Sequence, residues 1–159
     1  MGSKLNKIIL ENGVWAWANI PARYVKESVE IIEKYLAKLA DARWQLPKNK
    51  VENPFVRYYA PEMDETSALD QELASCYHYF IVMLRWLVEI GRVDITTVVS
   101  MMAYQMDMSR KGHSEAVLNV FAFLRQRYNS RMVFDPTYPA INISDFKEWK
   151  CKDFYGELK

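Results

Sequence analysis

The chain has 159 residues and a formal net charge of +1, with 50% apolar and 26% charged side chains. That length fits one domain or two very small ones with an ordinary globular composition, and the near-zero charge excludes a whole-molecule basic field advertising a nucleic-acid partner. Cys76 and Cys151 are the only cysteines, which excludes a disulfide framework; read as reduced thiols, and without a signal-peptide pattern, they point to an intracellular protein.

In chain order, Lys4 to Ile9 and Val14 to Ala18 flank Asn12-Gly13, which predicts a β-hairpin closed by a type I′ turn with positive φ at both central residues. Pro21 suits the first turn of a helix, and Val25, Val29, Ile32, Leu36 and Leu39 then repeat at alternating four and three spacing. This predicts an amphipathic helix over 21–39, with Lys26, Glu30, Glu33, Lys34 and Lys38 off its apolar stripe. Pro47, Pro54 and Pro61 mark a long loop over 41–66, a length that is usually functional or mobile.

Thr66 or Ser67 is expected to cap a second helix, carried inward by Leu69, Leu73, Cys76, Phe80, Met83, Leu84 and Leu87 and ended at Gly91. Its most apolar run, Phe80 to Ile90, holds Arg85 and Glu89 and is too short to span a bilayer. Asp94 is expected to cap a third helix through Ile95, Val98, Met102 and Met106, with Met101, Met102, Met106 and Met108 filling core. A fourth helix runs from about Ser114 to Tyr128, a short strand covers Arg131 to Phe134, and a linker follows. Trp86 and Phe121 are expected in the core. The fold class is therefore α+β and mostly helical: a hairpin, a long helix, and a three-helix unit ending in a short strand. Its segments are 1–40, the loop 41–66, 67–134 and the linker 135–159.

Few residues carry chemistry. Two-metal polymerisation needs clustered carboxylates; Glu62, Asp64, Glu65, Asp70 and Glu72 instead read as a solvated loop and a helix start. Cys76, His78 and His113 lack the paired spacing of a zinc site, so no catalytic and no metal residues are assigned. His113 reads as a capping or packing residue, and Arg92 with Asp94 as structural. Residues 1–60 hold ten Lys or Arg against six acids. Arg23, Lys26, Lys34, Lys38 and Arg43 can line a phosphate-tracking face or a merely solvated one. Trp15 and Trp17, two apart on a strand, either stack on a base or ribose or pack against the first helix.

Tyr77, Ile81, Leu84, Trp86, Arg92, Asp94, Ile95, Val98, His113, Ala116, Val120, Phe123 and Leu124 stand in an ungapped order. That order resembles the segment following the polymerase palm in copia-type retrotransposon reverse transcriptases. Met1-Gly2-Ser3-Lys4 resembles the opening of the hairpin after their catalytic Asp-Asp strand. Asp135-Pro136-Thr137-Tyr138-Pro139 and Asp153-Phe154-Tyr155-Gly156 resemble the linker toward ribonuclease H. Departures are Val82 for a family Gly, Val93 for Pro, Ser114 for Trp, and Leu118, Asn119 and Ala122 at basic positions.

The resemblance implies a thumb and connection segment of the Pol polyprotein, in the cytoplasm (a virus-like particle) or the nucleus. Its partners would be an RNA–DNA template–primer duplex and the rest of the polyprotein, with no membrane. The hairpin would act as a primer grip and the helix 21–39 as the thumb. Gly2, Lys4, Lys7, Trp15, Trp17, Arg23, Lys26, Lys34 and Lys38 would form the nucleic-acid site. The segment itself would bind no cofactor, Mg²⁺ being implied only for the missing catalytic domains, and would be inactive alone. The alternative is a decayed or reused element acting as a helical protein-interaction module.

Overall fold

The computed structural model describes residues 3–39, 45–137, 152–153 and 156–157. Two strands, β1 (Lys4–Ile9) and β2 (Trp15–Ile20), lead into helix α1 (Ala22–Leu39). After the loop come α2 (Gln71–Glu89), α3 (Thr96–Tyr104), α4 (Lys111–Gln126) and strand β3 (Met132–Phe134). β3 pairs antiparallel with β2, so the sheet order is β1-β2-β3 and the fold is α+β and helix-dominated. Within the stretch read as a linker, β4 (Lys152–Asp153) pairs with β5 (Gly156–Glu157). Met1, Gly2, Arg43, Tyr138, Pro139, Cys151, Phe154 and Tyr155 lie outside the described residues.

Asn12-Gly13 does turn the hairpin, but not as a type I′ turn. Gly13 has φ +78°, and Tyr58 is the one non-glycine residue with positive φ among the described residues. The Gly13 N–H donates to Leu10 O at 2.9 Å and the Leu10 N–H to Val14 O at 2.8 Å. This is a three-residue loop, a tight turn followed by a left-handed glycine. Asn12 contributes its side chain, whose Oδ1 accepts the Val14 N–H at 3.1 Å.

One core joins the segments on either side of the long loop. Val25, Val29, Ile32 and Leu36 of α1 share it with Phe80, Ile81 and Leu84 of α2, Val98 and Met102 of α3, and Val117, Phe121 and Leu124 of α4. α4 is buried over most of its circumference because it runs through the middle of this core: Leu118 and Ala122 are buried along with Val117, Phe121 and Leu124. The loop is strapped along α4. Arg125 donates to Pro47 O at 2.6 Å, Asn119 to Pro54 O at 3.0 Å and Gln126 to Asn49 O at 3.0 Å.

Several helix ends differ from expectation. Asp70, not Thr66 or Ser67, caps α2, its Oδ1 accepting the Leu73 N–H at 2.8 Å. Thr66 caps α4 from across the chain, its Oγ1 accepting the Gly112 N–H at 2.9 Å. α4 therefore starts at Lys111, three residues before the expected Ser114. Gly91, at φ +117°, ends α2 as expected: its N–H reaches Val88 O and that of Arg92 reaches Leu87 O, both at 3.0 Å, a Schellman closure. Asn19 of β2 adds a bond to Ile90 O at 2.9 Å and so ties the sheet to this helix end.

Asp94 caps nothing. A 3-10 turn over Val93–Ile95 leads into α3, and the Asp94 carboxylate instead takes the Arg92 guanidinium. Met102 fills core as expected, but Met108 is 74% exposed. Trp86 is also not core: it is 52% exposed, while Phe121 is fully buried.

Candidate nucleic-acid interface

The hairpin and the start of α1 form a cleft of about 730 Å³, lined in part by Lys4, Arg23 and Lys26. Three cations from two elements converge here because the strand face carrying Lys4 and Asn6 turns toward the first turns of α1. Glu27 and Glu30 line the same cleft. Arg23 Nε donates to Glu27 Oε1 at 2.8 Å, a pair whose side chains are 85% and 41% exposed; such pairs contribute little. Lys26 Nζ lies 4.1 Å from the centroid of the Tyr128 ring. Tyr24 also lines the cleft, and burial pushes its hydroxyl above its ordinary pKa.

The other expected residues fall into two further groups. Lys34 and Lys38 are exposed farther along α1, interleaved with Glu30 and Glu33, and Glu33 pairs with Arg125 at 3.1 Å. That helix face alternates in sign rather than presenting a basic stripe. Lys7, Trp15 and Trp17 share the opposite face of the sheet, because Lys7 is paired in register with Trp17 and Ile9 with Trp15. Trp15 and Trp17 do not pack on α1: they are 54% and 53% exposed, while Ala16 and Ala18 between and beside them are buried. Lys7 Nζ sits 4.8 Å from the Trp15 ring centroid.

The remaining polar candidates hold structure. His113 Nδ1 accepts the Arg110 N–H at 3.0 Å and its Nε2 faces Pro61 O at 3.0 Å; an Nε2–H tautomer satisfies both contacts. His78 Nε2 faces Met106 O at 2.8 Å, and Cys76 contacts the Tyr35 hydroxyl, which burial and that contact push well above its usual pKa. Asp64 accepts from Tyr59 and from Thr66. Among the described residues no group of three or more His, Cys, Asp or Glu is placed to hold a metal ion, and no helix is long and apolar enough to cross a membrane.

One surface went unanticipated. Tyr24 of α1 and Tyr79, Val82 and Trp86 of α2 line an apolar groove of about 690 Å³. Its signal is present in the sequence: residues 79, 82 and 86 make a second apolar stripe at helical spacing beside the buried one. Comparison with protein-family models, with curated proteins and with solved structures finds no match to this chain.

Proposed function

We propose that this chain is a non-catalytic thumb and connection segment of a copia-type reverse transcriptase, contributing to the grip on an RNA–DNA template–primer duplex. The observation that carries the reading is the cleft between hairpin and helix, where Lys4, Arg23 and Lys26 come together. Ammonium and guanidinium groups spaced along a cleft neutralise successive phosphates and fix the register of a duplex without reading its bases. A polymerase element must work this way, since it accepts any sequence. The residue order from Tyr77 to Leu124 supplies the family half of the argument. In this reading the metal-binding carboxylates and their Mg²⁺ belong to other domains of the polyprotein, and α4, buried through Leu118 and Ala122, touches no nucleic acid.

The test is binding of two RNA–DNA hybrids of unrelated sequence to the full chain. Equal affinity for both, weakened equally by Lys4→Ala/Arg23→Ala/Lys26→Ala, is expected. Preference for one sequence contradicts backbone recognition.

A second reading, a helical protein-interaction module, is favoured by the groove at Tyr79, Val82 and Trp86, whose exposed side chains make an apolar patch on α2. It predicts no hybrid binding at low salt and an association with the parent polymerase that Trp86→Ser abolishes.

A further inference from the structure

The outer face of the sheet carries a different kind of surface from the cleft. We propose that this face binds single-stranded nucleic acid by stacking unpaired bases on Trp15, Trp17 and Phe134, with Lys7 supplying the phosphate contact. The inference rests on the nucleic-acid reading above and extends it to a second substrate class at a separate place.

The strand register builds the platform. Trp17 is the direct antiparallel partner of Phe134 on one side and of Lys7 on the other. Directly paired residues project on one face with Cβ atoms about 5 Å apart. Trp15 lies two residues along β2 on the same face, hence roughly 6.7 Å further. The three rings are thus neighbours on a rigid three-stranded sheet, and each is about half exposed: 54% for Trp15, 53% for Trp17 and 49% for Phe134. Rings held this way offer π-faces to any base, which is how sequence-tolerant single-strand binding is achieved.

The charge on this face selects among occupants. Its flanks are apolar, with Leu5 62% and Ile9 59% exposed, and the strand residues that share it include Lys7 and no carboxylate. A second copy of the chain docked face to face would bury both Lys7 ammoniums in one apolar interface with no strand carboxylate to pair them, which opposes self-association. A polyanion with π-faces uses both features at once. The Lys7 ammonium, 4.8 Å from the Trp15 ring centroid, is already beside the stack, and an exposed cation–π contact is weak enough for it to turn to a phosphate.

The experiment uses the full chain and three probes of equal length: oligo-dT, an abasic oligomer with the same phosphate count, and an RNA–DNA hybrid. Binding is followed by fluorescence anisotropy. Parent protein is expected to prefer oligo-dT over the abasic oligomer. Trp15→Ala/Trp17→Ala is expected to weaken oligo-dT binding by about tenfold or more while leaving hybrid binding unchanged. Trp15→Phe/Trp17→Phe keeps the rings and is expected to retain most of the affinity, which guards against misfolding of the alanine variant. Equal binding of oligo-dT and abasic oligomer, or oligo-dT binding indifferent to loss of both rings, overturns the inference. So does a concentration-dependent dimer that the alanine variant abolishes while oligo-dT does not bind. Hybrid binding without oligo-dT binding sinks only this inference; oligo-dT binding without hybrid binding sinks only the duplex reading.

Discussion

Arg92 and Asp94 form a two-point ion pair across a single residue, Nε to Oδ1 at 2.9 Å and Nη2 to Oδ2 at 2.7 Å, with the Arg92 side chain only 1% exposed. The remaining Nη1 donates to Arg127 O at 3.0 Å, so the guanidinium ties the α2–α3 junction to the end of α4. Asp94→Ala leaves a buried cation without its counter-charge and is expected to cost about 1–3 kcal/mol. Replacing both partners, Arg92→Met/Asp94→Ala, is expected to recover part of that loss. Urea midpoints at constant m-value measure both; a double variant weaker than Asp94→Ala by the full effect of Arg92→Met denies the coupling.

Phe121 and Trp86 separate the two sides of the helical unit. Phe121 is fully buried and meets Phe80 edge-on with ring centroids 6.0 Å apart. Phe121→Ala is expected to cost about 3–5 kcal/mol, and Trp86→Ala under about 1 kcal/mol because half the indole is in water. Thermal melts of the two variants would show the ranking; equal losses would contradict the burial described.

The failed expectation at Trp86 shows where the sequence stops being legible. Along α2 the apolar positions cover more than one stripe, and periodicity alone cannot say which stripe the neighbouring helices cover. Along α1 a single stripe alternates with charges, and Val25, Val29, Ile32 and Leu36 are buried as the spacing implies. Long-range caps were equally out of reach: nothing local to Thr66 reveals that its hydroxyl meets Gly112, forty-six residues on. In the candidate site the cations were visible in the sequence. What was not is which face of the sheet meets α1, and so that Lys4 lies in the cleft and Lys7 on the other side.

Asp64 ties Tyr59 and Thr66 together at the end of the loop, close against Gly112 at the start of α4. Burial opposes its ionisation, but the hydrogen bonds from Thr66 and Tyr59 outweigh that, and its pKa lies below the usual carboxylate value. A depressed pKa contributes stability that is present above the unfolded value of about 3.9 and is lost as pH falls through the folded one. Asp64→Asn is therefore expected to be less stable at pH 7, on the order of 1 kcal/mol, and to lose less on acidification below about pH 4. Parallel pH profiles for parent and variant would remove Asp64 from the account. Gly112→Ala attacks the same junction sterically, since a Cβ there would stand 2.0 Å from Asp64 Oδ2.

The central claim is that the cations of the hairpin–helix cleft hold phosphates, and the salt dependence of hybrid binding tests it most directly. Removing one cation that neutralises a phosphate lowers the slope of log affinity against log salt by about 0.9 on duplex DNA. Lys4→Ala/Arg23→Ala/Lys26→Ala is accordingly expected to bind an RNA–DNA hybrid more weakly than the parent at low salt, with a slope shallower by about 2 to 3. Parallel slopes would place the phosphate-binding groups elsewhere on the molecule, and a parent that binds no hybrid even at low salt would contradict the claim outright.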